Sequence, residues 1–450
     1  KTFPTNDCST CMIAPRMVAC ARHPNIRIMT MAALVDLEGE PGRFTARIHR
    51  HPRYVDENLC IGCRQCVDRC PRNVPNPYNA NLDKRKAVYL AHSQAIPMVP
   101  AIDTASCIYF QKGRCRLCEK ICPTGAVRFD DRGEDLELPV GAVILAGGYE
   151  LAVVPQAGEY GHGRYANVVT SLDFERMLSA AGPYAGHPRR PSDGEVPRRV
   201  AWIQCVASRD SARNRNFCSS VCCMAAVKQA MLVREHNPES EATIYYMDVR
   251  AQGKDFDRYV ERARHGLHVR FVRSMLSMIV ENPGNRNLVI SYHDHHTMEH
   301  REEEFDLVVL SAGMKPSGAV TPLLARLGIE VNAYGFIEPD LERPTLTSRE
   351  GVFVAGVLDG PKDIPESVTG ASAAAASAAA FLRMAAGGDF RETLEVLKPE
   401  GAPLEGAVWE AGQAVAPAGG LADIPAADGL NIEEVPRVGV FVCHCGRNIA

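Results

Sequence analysis

Residues 60–71 read Cys60-Ile61-Gly62-Cys63-Arg64-Gln65-Cys66-Val67-Asp68-Arg69-Cys70-Pro71. The spacing is C-x2-C-x2-C-x3-C-P. Four thiols in so short a run, the last ahead of a proline, suit a [4Fe–4S] cubane. A second run follows with Cys107, Cys115, Cys118, Cys122 and Pro123; its first gap is seven residues rather than two, and the other spacings match. A cubane needs four thiolates converging from different directions. Three come from one tight loop, whose small residues let the backbone close around inorganic sulfide. The fourth, just before the proline, reaches across to the other cluster. The pattern therefore assigns Cys60, Cys63, Cys66 and Cys122 to one cluster, and Cys107, Cys115, Cys118 and Cys70 to the other. Zinc knuckles and disulfides are the competing readings. Zinc sites do not usually repeat a fourth Cys-Pro, and disulfides do not suit a reducing compartment.

The chain has 450 residues, enough for roughly two to four domains. It is 46% hydrophobic and 23% charged, as a globular protein is. A net charge of -4 makes no electrostatic case for nucleic acid or an anionic membrane. Seventeen cysteines is a high count, but they cluster in short metal-type spacings. That favours cofactor ligation in the cytoplasm over a secreted disulfide framework. No uninterrupted apolar run reaches membrane-spanning length. The apolar part of 370–384 is mostly Ala and Ser and reads as a packed helix. Lys1 is not an initiator Met, no signal peptide follows it, and Ala450 falls inside what reads as a new strand and loop. A segment of a longer protein is the expectation.

Residues 1–50 read as the first part of a flavin domain, with a short helix around 15–22 and strands at 26–31 and 43–49. Pro41 and Gly42 mark the turn between them. Residues 51–135 form an inserted two-cluster domain like a bacterial-type ferredoxin. The apolar run 142–146 is a buried strand ended by Gly147 and Gly148. In two-dinucleotide flavoproteins such a strand returns the chain to the flavin domain, so 136–198 is that return, with a helix near 172–180. Across 199–315, strands and helices alternate: strands at 199–204, 242–247 and 269–272, helices at 224–236 and 256–265, a hairpin at 275–280 and 287–292, and a strand at 305–310. That order means α/β with a parallel sheet. Residues 316–395 return to the flavin domain. There a strand at 351–356 ends in glycine, and the turn from Gly360 leads into an Ala-rich helix whose first turn suits Pro365 and Glu366. Residues 396–436 are an Ala, Pro and Gly linker. Residues 437–450 read as the start of a further domain.

Cys205, Cys218, Cys222 and Cys223 make C-x12-C-x3-C-C between a strand and a helix. An ordinary nucleotide domain carries G-x-G-x-x-G at that turn, with the pyrophosphate on the helix N-terminus. Here the glycines are absent, so NAD is not expected there. Four cysteines could hold a third [4Fe–4S] cluster, favoured by the helix N-terminus. Buried free thiols are the other reading, and spacing alone leaves both open. Cys8 and Cys11 form a C-x-x-C, either a redox dithiol near a flavin or an idle pair. Cys20 reads as core. The turn with Gly360, Lys362 and Asp363, together with Gly356, could bring backbone amides to a flavin pyrophosphate, or simply start a helix. His293, His295 and His296, with Glu299 to Glu304 after them, read as a solvated charged edge.

These stretches resemble the heterodisulfide reductase A-subunit family of iron–sulfur flavoproteins, including its bacterial members. The resemblance rests on Phe3-Pro4-Thr5-Asn6-Asp7-Cys8-Ser9-Thr10-Cys11 and on the double cysteine run. It rests further on Gln204-Cys205 through Cys222-Cys223-Met224 to Lys228-Gln229-Ala230, and on Gly360-Pro361-Lys362-Asp363-Ile364-Pro365-Glu366-Ser367. It spans nearly the whole chain. It implies a thioredoxin-reductase-like, two-dinucleotide-domain flavoprotein with an inserted two-cluster ferredoxin (α+β) domain. It implies FAD, a third cluster at Cys205–Cys223, partner redox subunits, and ferredoxin as an acceptor in flavin-based electron bifurcation. It also implies that Lys228 lies close to the reactive flavin nitrogen, where a cation stabilises the reduced anionic ring; the alternative is a surface lysine on a helix. The family's own G-x-G-x-x-G does not occur in this sequence. Val438 through Ile449 resembles the opening of the family's N-terminal domain, yet follows the linker, which leaves Cys443 and Cys445 unassigned.

Three functions remain in play. The first is an electron-transfer component carrying FAD and three clusters. The second is an NAD(P)H- or thiol-linked disulfide oxidoreductase using Cys8 and Cys11. The third is a non-enzymatic, cluster-bearing scaffold.

Overall fold

A computed structural model describes residues 2–152, 159–274 and 276–385, and the strand backbone at 438–442. The linker 396–436 and Cys443 and Cys445 lie outside these residues. The apolar strand Arg199–Val206 is the middle of a five-stranded parallel sheet. Leu307–Ala312 lies on one side of it and Glu241–Tyr246 on the other. Val168–Thr170 and Arg270–Arg273 form the two edges. A parallel sheet must be covered on both faces. On one face the helix Cys222–His236 packs Val227, Ala230 and Met231 into a core with Trp202 and Val309. On the other lies an antiparallel meander of Leu276–Glu281, Leu288–Asp294 and Glu299–Phe305. Its Ile279, Ile290, Tyr292 and Phe305 share a core with Ala201, Ile203 and Val308. The charged stretch 299–304 is thus a paired strand, with His300 opposite His293 and Glu302 opposite Ser291. Only one face of the meander is buried, so its other face keeps the charges.

The second unit holds a three-stranded antiparallel sheet of Ala32–Glu40, Arg43–Arg50 and Glu134–Val140. It also holds the parallel set Val352–Val354, Ala142–Ala146 and Val438–Val442. Residues 26–31, expected as a strand, are irregular, and the strand begins at Ala32. Met31 takes a left-handed φ of 54°, which interrupts the extended run. The helix expected around 15–22 is longer, Ser9–Arg22, with Cys8 at its N-cap. Val438–Val442, expected to open a further domain, has its backbone parallel to Ala142–Ala146, on the flank opposite Val352–Val354. The helix Ile364–Ala385 is long and apolar enough to cross a membrane by length and composition alone. Its Ala374, Ala378 and Leu382 stripe packs on Ile144 and Phe353 of this sheet. The units are joined where Tyr149–Leu151 pairs with Met314–Pro316.

Arg50 pairs with Glu134, so the chain leaves this sheet and re-enters it at one point. Everything between is the small α+β insert. The insert is tied to the five-stranded unit by a buried cation. Arg176 donates from Nε and Nη2 to Asn79 Oδ1 at 3.2 and 2.9 Å, and its guanidinium covers the Tyr78 ring at 4.4 Å. Asn79→Ala would strand that guanidinium. The expected cost is about 1.5–3 kcal/mol, read by urea unfolding of the anaerobic protein.

Candidate functional site

Left-handed turns curl the first cysteine loop. Gly62 and Arg64 have φ of 68° and 64°, and the one-turn helix Gln65–Asp68 follows. Cys60, Cys63 and Cys66 thereby line one cavity, and Cys122 closes it from the other run. The Ala126 amide donates to Cys122 Sγ at 3.2 Å. Cys107, Cys115 and Cys118 line a second cavity, completed by Cys70. Each run thus sends its Cys-Pro cysteine to the other's cavity. Val55, Val88, Ile102 and Val127 share a core with the buried thiols. Burial pushes the Cys66 thiol up to about 11 and the Cys118 thiol up to about 12. A bare thiolate is unfavourable there, and bound iron is the kind of charge that compensates it. Among the described residues, no three Cys, His, Asp or Glu side chains converge as a single metal ion requires. Four cysteines lining one cavity are a donor set that fits an iron–sulfur cubane.

The third cysteine set sits at the end of the central parallel strand. Cys205 takes a left-handed φ of 60°, and Ala207 and Arg209 follow at 52° and 56°. Cys222 and Cys223 open the helix behind it. Burial pushes the Cys205 thiol up to about 11, reinforced by the nearby Cys223 and Cys218. Burial likewise raises Cys222, with Cys223, Cys205 and Cys218 adding to it. The four thiols therefore stand in one neighbourhood. Their hydrogen bonds diverge, Cys222 donating to the Ala312 carbonyl at 3.6 Å and Cys223 to the Asp248 carbonyl at 3.8 Å.

Lys228 projects from the same helix and is 4% exposed, so it is no surface lysine. Its Nζ lies 2.5 Å from Glu175 Oε1. The helix carrying Glu175 starts at a capping box, in which Thr170 and Asp173 exchange hydrogen bonds of 3.1 Å. Gln229 donates to Glu175 at 2.8 Å and accepts from Trp202 Nε1 at 2.9 Å. Burial, the largest single influence, raises the Glu175 carboxyl, but neighbouring positive charge, chiefly Lys228, and the hydrogen bonds from Lys228 and Gln229 together hold the acid below its ordinary range. Tyr149 is pushed up to about 12 by burial first, with the nearby Cys222 and Glu175 adding to it.

The glycines divide. A Cβ on Gly147 would lie 2.6 Å from Val320 Cγ2, so Gly147 is there for packing. Gly148, Gly356 and Gly360 have positive φ and open space beside them. Lys362 Nζ binds Asp359 Oδ2 at 2.6 Å. Asp363 caps the following helix, exchanging 2.8 Å bonds with Glu366. Asp359, which no sequence motif singles out, has a side chain 6% exposed, and its buried Oδ1 has no partner. An orphaned buried carboxylate oxygen beside two open glycines fits the hydroxyls of a bound cofactor. Gln204, next to Cys205, likewise has no partner for either amide atom. Glu175 escapes a reading of the sequence because nothing in its local spacing signals it. Asp359 has a faint signal, an acid just past a strand and glycine.

Residues 53–76 match the family described as a 4Fe-4S binding domain. Much more of the chain matches curated relatives. The CoB–CoM heterodisulfide reductase iron-sulfur A-subunit of Methanocaldococcus jannaschii is 44% identical over 380 residues, 84% of this chain and 57% of that protein. The iron-sulfur A-subunit 2 of Methanopyrus kandleri is 47% identical over 385 residues, 85% of this chain and 58% of that one. Over the matched residues, the chain belongs to the heterodisulfide reductase A-subunit family. The A-subunit of the H(2):CoB-CoM heterodisulfide,ferredoxin reductase of Methanothermobacter marburgensis is 42% identical over 382 residues, 84% of this chain and 57% of that one. The chain therefore spans little more than half the length of the curated relatives it matches. Among solved structures, thioredoxin reductases of T. acidophilum and Lactococcus lactis match at 18% and 20% identity, both with TM-score 0.37. Each match covers 56% of this chain, and 69% and 70% of theirs.

Glu175→Leu should leave the Lys228 ammonium without its carboxylate. The expected loss is about 3 kcal/mol in urea unfolding at pH 7. The folded carboxyl titrates below the unfolded one. The pair's stability is therefore present above roughly pH 4.3 and lost as pH falls through the folded value, so variant and parent should converge in acid.

Proposed function

We propose that this chain is the electron-transfer portion of a heterodisulfide-reductase-type iron–sulfur flavoprotein. In this reading it holds FAD and three [4Fe–4S] clusters. It exchanges electrons with partner redox subunits in the cytoplasm, with ferredoxin as a one-electron acceptor and bifurcation as the mode of use. The observation that carries it is the exchange of Cys122 and Cys70 between the two cavities. Cys205, Cys218, Cys222 and Cys223 are the ligands of the third cluster. A flavin, when bound, supplies the conversion between two-electron and one-electron transfer. Gly148, Gly356 and Gly360 leave room for it, and Asp359 offers the acceptor oxygen. The Lys228 ammonium presents a buried positive charge where the flavin ring would gain electrons. Glu175 and Gln229 hold that ammonium in place. Lys228 stands on the same helix as Cys222 and Cys223, so one element would carry both sites.

Iron and sulfide analysis with low-temperature EPR of the anaerobic full-length protein tests the cluster count. Roughly twelve irons per chain are expected, and roughly eight after Cys222→Ala/Cys223→Ala. Eight irons in the parent would remove the third cluster. For the flavin site, Lys228→Met should lower the two-electron flavin potential by on the order of 30 mV or more, equivalent to about 1.4 kcal/mol. An unchanged potential would place the ring elsewhere.

One observation favours a thiol-linked reading as the second choice. Cys8, at the N-cap, and Cys11, on the first turn of Ser9–Arg22, are both exposed. Hydrogen bonding from Cys11 holds the Cys8 thiol below its ordinary value. Under that reading Cys8→Ser abolishes disulfide reduction by the reduced protein. Under the first reading, turnover and cluster reduction both survive.

A further inference from the structure

The first four-cysteine cavity lies under a surface of mixed character. Cys63 is exposed. Ile61, its near neighbour in the loop, is 69% exposed, and Met98 and Leu59 are 47% and 39% exposed. Gly62 holds Met98 against the loop; a Cβ there would meet the Met98 carbonyl oxygen at 3.2 Å and its Cγ at 3.7 Å. Exposed apolar side chains thus stand beside the cavity, Ile61 in its lining and Met98 against the same loop. Arg64 lines both this cavity and an adjoining cleft. That cleft carries Lys84, Arg85, Lys86 and His92, and among the described residues no Asp or Glu lines it. Arg85 is committed, with Asp103 at 3.0 Å and the Tyr89 ring at 3.8 Å. Lys84 and Lys86 are two apart on one strand and so share a face. Asp68, at the end of the helical turn after Arg64, is exposed but lies outside the cleft lining.

An apolar centre beside a redox site, with a cationic rim, is the make-up of a transient electron-transfer interface. Such interfaces are small and gain encounter rate and orientation from opposite charge. The rim is basic although the chain carries a net charge of -4, so the sign is local. We propose that the surface of Ile61, Arg64, Met98, Lys84 and Lys86 docks an acidic one-electron carrier protein. This rests on reading the cavity as a cluster site. One electron passes between cluster and carrier, one being oxidised as the other is reduced, with no bond made or broken.

The test uses the anaerobic full-length protein and a purified acidic two-cluster ferredoxin, with affinity measured by calorimetry. In the parent, binding should weaken about tenfold between low and high salt. Lys84→Glu/Lys86→Glu should weaken low-salt binding about tenfold and flatten the salt dependence. Ile61→Ser should weaken binding at both salt levels. Lys254→Glu/Arg258→Glu, an equal charge change beside Phe256–Glu261, should bind as the parent does. Iron content and EPR of each variant separate the two claims: their loss in the parent sinks the cluster reading, whereas docking is judged from affinity alone. Parent-like affinity in the Lys84/Lys86 variant with full iron content overturns the proposal, as does binding indifferent to salt.

Discussion

A thiolate taken out of water is costly unless a cation meets it, and much of this structure follows from that constraint. Cys66, Cys70, Cys107 and Cys118 are buried inside an insert too small to support a large apolar core of its own. They line the two cavities and also pack in the insert's apolar core. A group that supplies positive charge and fills those cavities would contribute folding energy as well as redox chemistry. The exchange of Cys122 and Cys70 also ties the two halves of the insert together, so neither cavity forms without the other run.

The same constraint recurs in the five-stranded unit. Its central strand ends in left-handed turns, and its helix starts with two cysteines instead of the glycines that would admit a pyrophosphate. The parallel sheet and its strand-to-helix turn are present, and thiols stand where a nucleotide domain would carry glycines. Two turns further along that helix, Lys228 and Glu175 form a buried ion pair. Such a pair is weak evidence for stability and better evidence for a role, because desolvation offsets most of its attraction. Buried pairs at a site with perturbed acids are a mark of function. Here Lys228 shares its helix with Cys222 and Cys223.

What the sequence disclosed was local. The cysteine spacings, the strand 142–146 and the helix after Cys222 depend on neighbours within a few residues, and the elements observed there follow them closely. Two boundaries moved for local reasons as well, at Met31 and at Cys8. What it withheld was tertiary. Glu175 meets Lys228 across 53 residues, and Arg176 meets Asn79 across 97. Asp359 is informative only because its Oδ1 is buried without a partner. Val438–Val442 reads as an independent strand until it is seen beside Ala142–Ala146. The charged run 299–304 hides a strand because only one face of its meander is buried.

Anomalous scattering at the iron edge, from anaerobically grown crystals of the full-length protein, addresses the central claim most directly. The account predicts compact four-iron density inside the ring of Cys60, Cys63, Cys66 and Cys122, and a second inside that of Cys107, Cys115, Cys118 and Cys70. A single metal ion, or sulfur–sulfur bonds within either ring, would contradict it.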